Sequence, residues 1–164
     1  LNMGDVMKPV EEAYWNQFKE EHNLPNAVFG SAWAFGASQS QADELAQLTL
    51  AGEKTATASA YELYQLEGEP IPTANSCYDI LLDGSGNPVA VLCTKEVSVV
   101  PYHKVDSAHA YAEGEGDKSL ETWRRTHEEF FQREFAEVGE NVDFSRLHVV
   151  LEKFEVVYAL PLAA

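Results

Sequence analysis

The stretch from Leu45 to Ser59, LAQLTLAGEKTATAS, changes its periodicity at one point, and that change constrains the fold more than any other feature of the chain. Leu45, Leu48 and the alanines around them follow helical spacing up to Gly52. A glycine just past a helix can take the left-handed conformation that stops it. Lys54 follows at once. Thr55, Thr57 and Ser59 then alternate with Ala56 and Ala58, which is the period of a strand with one hydroxyl-bearing face. A lysine therefore stands at the mouth of a strand that carries a row of hydroxyls. A desolvated lysine can serve as a general base near neutral pH. A charged one can stabilise an oxyanion. Thr57 offers a nucleophile or a water-positioning hydroxyl. Lys54 and Thr57 are three residues apart, which on a regular strand puts them on opposite faces. They converge only if Lys54 lies in the turn and reaches back over the strand, where it is expected to contribute little packing. The plainer alternative is a surface lysine before a Thr-rich strand.

The rest of the pattern mixes helices with antiparallel strands and points to an α+β fold. A first helix is expected over Val10–Glu21, with Tyr14 and Phe18 on its apolar stripe and Trp15 beside them, broken by Asn23-Leu24-Pro25-Asn26. Ala32–Gly36 should be extended, with Trp33 and Phe35 on one side. A second helix is expected from Gln41 to Leu50, with Ser40 as N-cap and Asp43 completing a capping box. A short helix at Tyr61–Leu66 leads to a loop. Cys77–Leu82 and Val89–Val100 read as strands joined by the DGSGN turn. A short helix near Ser107–Ala112 is followed by a long one over Ser119–Glu137, and the last strand is His148–Tyr158. There is no internal repeat, low-complexity tract or linker.

Charge limits the partners. The 164 residues include 11 Lys and Arg against 27 Asp and Glu, a formal charge of −16. Such a surface repels a phosphate backbone at long range, whereas extended nucleic acid is bound by neutralising phosphates. A small, weakly charged ligand or at most a short RNA is favoured. Hydrophobic residues make up 45% of the chain, enough for a real core. No apolar run approaches a membrane span of about 18 residues, and the start, LNMGDVMKPVEE, does not read as a secretory signal. Cys77 and Cys93 form no C-x-x-C pair and fit reduced thiols of a cytoplasmic protein. The five histidines show no metal-ligand spacing, so neither a metal nor another cofactor is expected.

Three further groups are candidates for a site. Glu113, Glu115 and Asp117 stand in an acidic loop before a helix, where negative charge also favours the helix N-terminus. Trp33, Phe35 and Tyr61 can stack a base; aromatic residues in apolar segments equally form core. Arg124 and Arg125 can bind a phosphate or carboxylate, or pair with Glu121, Glu128 and Glu129 nearby. His127, among Trp123, Phe130, Phe131 and Phe135, reads as a hydrogen-bonded core histidine.

GEKTATAS resembles the signature of the ASCH family, which opens with Gly-x-Lys and a short strand. AWAFG at Ala32–Gly36, VLCTKEVSVVPYHKV at Val91–Val105 and EGEGDKSLETWRRTHEEFF at Glu113–Phe131 are similar to the larger bacterial branch of that family, in the same order. The resemblance implies a PUA-like β-barrel flanked by helices, an N-terminal helical extension over 1–30 and the ASCH domain over 31–160. Smaller members are amidohydrolases acting on N(4)-acetylcytidine through a Thr, Lys and Glu set. The Lys and Thr map onto Lys54 and Thr57, and the Glu onto Glu115 or Glu113, with the Glu-Gly-x-x-Ser pattern favouring Glu115. Thr55, Ser59, Phe35, Trp33, Tyr61 and Arg124 are the expected substrate contacts. The family signature carries Glu and Arg further along its strand, where this chain has Ala58 and Ser59. An RNA-binding or RNA-cleaving module and a non-catalytic ligand sensor are the rival readings.

Overall fold

Tyr14, Trp15 and Phe18 fall on one face of the first helix, and their burial decides where that helix sits. In the computed structural model, which describes residues 6–159, α1 spans Pro9–Glu21. Pro9 suits the first helical position because its missing N–H has no partner there. Glu11 accepts from the Lys8 amide at 3.1 Å and closes the N-terminus. Tyr14, Trp15 and Phe18 pack with Ile80, Val91 and Tyr158 in one apolar cluster. Burying such side chains contributes about 1.5–3 kcal/mol each.

The chain divides into two units. The first takes the described residues of Leu1–Gly52, Ala74–Lys95 and Phe154–Ala164. It holds α1, strand β1 (Phe29–Trp33), helix α2 (Gln39–Leu50) and strand β3 (Tyr78–Leu82). β3 runs parallel to β1 and antiparallel to β4 (Pro88–Pro101). The helix before the lysine starts earlier than its sequence pattern indicates. Its N-cap is Ser38, whose extended backbone lets the side chain accept from Gln41 N, and Ser40 lies inside the first turn. Asp43 accepts instead from Gly84 N at 2.7 Å, tying α2 to the DGSGN turn.

The second unit takes Glu53–Thr73 and Glu96–Lys153. Strand β2 (Ala56–Ala60) pairs antiparallel with β5 (His148–Tyr158), from Ala56 opposite Lys153 to Ala60 opposite Val149. Helix α3 (Tyr61–Glu67) follows β2 directly and ends at Gly68 in the left-handed conformation. A 3-10 turn at Tyr102–Lys104, helix α4 (Ser107–Glu113) and helix α5 (Leu120–Glu137) complete it. Ala60, Tyr102, Ala110, Trp123, Phe131 and Val149 belong to its core, against which Phe130 is only partly buried. Ser119 caps α5 by accepting from Thr122 N.

The fold is thus mixed α+β, and strand hydrogen bonding follows the order β1-β3-β4-β5-β2. All three strands expected in a barrel are members of this sheet. The pairings do not close it, because β1 and β2 stand at its two ends. Among the described residues no helix is long and apolar enough to cross a membrane.

Candidate functional site

The second unit buries one lysine beside two carboxylates. Lys54 is only 2% exposed, so it is packed rather than carried on a surface turn. Its Nζ donates to Ala56 O at 2.8 Å, Glu115 Oε2 at 3.2 Å and Glu113 Oε1 at 3.5 Å. An ammonium has three N–H groups and no lone pair, and these three acceptors match them in number. The contact with Ala56 O brings the charge back to the peptide joining Ala56 to Thr57.

Backbone geometry fixes this approach. Thr55 N and Oγ1 both donate to Ala112 O, at 2.8 and 3.2 Å, which pins the start of β2 to the end of α4. Gly114 terminates α4 at φ 73°. A Cβ there would lie 2.2 Å from Glu53 O, so only glycine allows the two segments to come this close. Glu113 and Glu115 flank that glycine, and both reach Lys54, each in a different environment.

Glu113 is 1% exposed, and every donor around it is used. Its Oε2 accepts from His109 Nε2 and Trp123 Nε1, both at 2.6 Å. Its Oε1 faces Lys54 Nζ at 3.5 Å and His127 Nε2 at 3.3 Å. Burial alone would raise its carboxyl; the Lys54 charge and the hydrogen bonds from His109 and His127 outweigh that and hold it well below the usual carboxylate range. Glu115 is different: its side chain is 22% exposed, so it can meet both the ammonium and solvent. His127 stacks on the Trp123 ring at 4.1 Å and lies 2.9 Å by Nδ1 from Trp123 O. Burial lowers its pKa, but the bond to Glu113 and the charges of Glu113 and Glu115 more than compensate and raise it.

Glu113, Glu115 and His127 offer ligand atoms within 4.8 Å of one another. The Lys54 ammonium already lies against both carboxylates and supplies their positive charge.

The remaining expected contacts fall in both units. Thr57 is half-buried on β2 opposite Glu152, and with Ser59 it lies on the face away from Ala56 and Ala60. Thr57 is therefore next to the peptide that Lys54 contacts, with its side chain on the face opposite Ala56 and Ala60. Ser59 Oγ is 2.8 Å from Tyr64 Oη. Tyr61 opens α3, and its ring is 6.2 Å from that of His148. In the first unit, Trp33 Nε1 donates to Asp79 Oδ2 at 3.0 Å, and its ring meets the buried Phe35 at 4.7 Å edge to face. Phe35 belongs to a core cluster with Leu45, Leu81 and Phe154, and the partly buried Trp33 packs against it. Arg124 and Arg125 line an open groove on α5 with Glu121, Glu128 and Glu129. Glu128 accepts from Tyr102 Oη at 3.1 Å.

His109, Trp123 and His127 were legible only as helix and core residues. The signal that groups them is spacing: His109 and Glu113, and Trp123 and His127, are four apart on predicted helices and share a face.

Comparison with known proteins matches residues 31–158 to a family model described as ASCH domain. An ASCH domain of Lactobacillus crispatus is 31% identical with a TM-score of 0.83, over 94% of this chain and 98% of the other. A protein of Enterococcus faecalis assigned to the DUF984 family model is 34% identical with a TM-score of 0.85, over 93% of this chain and 91% of the other. No curated protein matches.

Proposed function

We propose, from the premise that the chain belongs to the ASCH domain family, that it is an amidohydrolase acting on an acylated nucleoside such as N(4)-acetylcytidine. The observation that carries this reading is the buried Lys54 ammonium, held between Glu113 and Glu115 at the Ala56–Thr57 peptide. Its contacts with Ala56 O, Glu113 and Glu115 are all to acceptors, so the lysine acts as a fixed positive charge that stabilises the oxyanion of a tetrahedral intermediate. Glu115, the more exposed carboxylate, accepts a proton from the attacking hydroxyl or water and passes it to the leaving amine. Glu113, with its oxygens committed, orients the lysine. Thr57 positions the attacking water or supplies the hydroxyl itself, in which case a water then hydrolyses the acyl-Thr57 ester and releases the carboxylate. Thr55, Ser59, Tyr61, Trp33, Phe35 and Arg124 remain the residues to probe for nucleoside contact. The PUA-like barrel implied by the family and a cytoplasmic location belong to the same reading.

A net charge of −16 supports a small neutral substrate over a polymer. The test is a hydrolysis screen of acylated nucleosides with wild type, Lys54→Ala, Thr57→Ala and Thr57→Ser. Turnover that changes little with salt and is lost in Lys54→Ala upholds the reading. No turnover, together with tight binding of single-stranded RNA at physiological salt, replaces it with an RNA-binding or RNA-cleaving role. Absence of both leaves a non-catalytic ligand-sensing domain.

A further inference from the structure

Two cationic groups address the same carboxylate oxygen. Lys54 Nζ and His127 Nε2 lie 3.5 and 3.3 Å from Glu113 Oε1, while Glu113 Oε2 is taken by His109 and Trp123. The other nitrogen of His127 is also committed. Trp123 O can only accept, and Thr126 Oγ1, 3.4 Å from Nδ1, directs its own proton to the carbonyls of Thr122 and Trp123, so Nδ1 at 2.9 Å from Trp123 O is the donor. With that proton fixed, His127 has two states at Nε2. As an imidazolium it donates to Glu113 Oε1. As a neutral ring it turns a lone pair toward a carboxylate oxygen, which repels it.

We infer that His127 is a positioning residue whose protonation decides how Lys54 is shared between Glu113 and the reacting group. With His127 charged, Glu113 Oε1 is satisfied by the imidazolium, and Lys54 leans to the more exposed Glu115, where an acyl oxygen can reach it. With His127 neutral, Oε1 loses that donor and draws the ammonium inward, away from the substrate. This deepens the amidohydrolase reading and rests on it.

The surroundings are consistent with this role. The ring is clamped by stacking on Trp123 at 4.1 Å and by Phe131 edge to face at 5.7 Å, so it responds by losing its proton rather than by swinging away. The groups that face it are Glu113 from α4, Glu115 from the loop after it, and Glu134 from α5 itself, with Lys54 across Glu113. Three acids favour the charged ring and one cation opposes it. These charges and the bond to Glu113 raise the His127 pKa from its ordinary value against the opposing effect of burial.

The experiment combines kinetics and histidine NMR. Replacing His127 by glutamine keeps an N–H in the place of Nε2 and cannot titrate; replacing it by leucine removes the donor. Wild type should lose kcat on an alkaline limb, with KM little changed. His127→Gln should keep substantial kcat and lose that limb. His127→Leu should lose about 10²-fold in kcat at all pH values, the size of a misplacement of the reacting groups. An alkaline limb unchanged in His127→Gln, or full kcat in His127→Leu, overturns the inference. The readout independent of activity is the long-range proton–nitrogen spectrum of the wild-type histidines at neutral pH. Both ring nitrogens of His127 protonated is the expected result; an unprotonated Nε2 overturns the inference. If the wild type turns over no acylated nucleoside, the functional reading fails separately, and the NMR result still decides the state of His127.

Discussion

The Lys54–Glu113 pair can be measured as a thermodynamic unit. Consider Lys54→Met and Glu113→Gln, alone and combined. At the observed 3.5 Å, Coulomb's law with an effective dielectric constant of about 20 gives about 5 kcal/mol of attraction. Desolvation of two buried ions opposes that gain, yet removing one partner strands the other and costs about 3–5 kcal/mol. Lys54→Met should fall at the lower end, because Glu113 keeps His109, Trp123 and His127 as donors. Glu113→Gln should fall at the upper end, because an amide has one accepting oxygen where four donors converge. The double variant should lose clearly less than the sum, with a coupling of about 3 kcal/mol. The assay is urea unfolding at pH 7, followed by tryptophan fluorescence and far-UV circular dichroism, with coincident transitions required. A coupling below about 1 kcal/mol, the value of an exposed ion pair, would refute the reasoning.

Trp123→Phe keeps the ring but removes the N–H on Glu113 Oε2, and should cost about 1–3 kcal/mol in the same unfolding assay. Gly114→Ala meets both a positive φ and the Glu53 carbonyl, so a loss of about 2 kcal/mol or more is expected, with no variant retaining wild-type stability. Glu134 is raised to about 7 by burial and by Glu67 and Glu137. Because its folded pKa lies above the unfolded value, its ionisation penalises the fold as pH rises through that range. The Tm advantage of Glu134→Gln should therefore be absent near pH 4 and grow toward pH 8; a constant offset would contradict the assignment. Glu113 has the opposite sign. Its depressed pKa contributes stability above the unfolded carboxylate range that is lost as pH falls through the folded value, so Glu113→Gln should flatten the acid limb of a Tm-versus-pH curve.

Much of this was legible in the sequence, and the reasons are local. β2 alternates small and hydroxyl residues, so its two faces separate as the period requires, with Ala56 and Ala60 buried. β5 matches its expected bounds because β-branched and aromatic residues fill His148–Tyr158 without a breaker. Helix starts were less legible: Ser38 and Ser40 have the same capping chemistry, and only the backbone at Ser38 shows which one is extended. The burial of Lys54 could not be read either. It depends on Gly114 admitting the Glu53 carbonyl from a segment some sixty residues away, and no local pattern encodes that approach. The motif favoured Glu115 over Glu113 without excluding either. What separates them is that His109 and Trp123 converge on one and solvent reaches the other.

Under the proposed amidohydrolase reading, the acceptors around Lys54 have a chemical consequence. An amine next to a labile acyl donor is also a trap for it, since a free lone pair would take the acyl group and form a dead amide on the enzyme. An ammonium bonded to Ala56, Glu113 and Glu115 has no lone pair to offer. The contacts that hold the charge in place thereby spare the lysine from its own substrate, and its mass should stay unchanged after many turnovers.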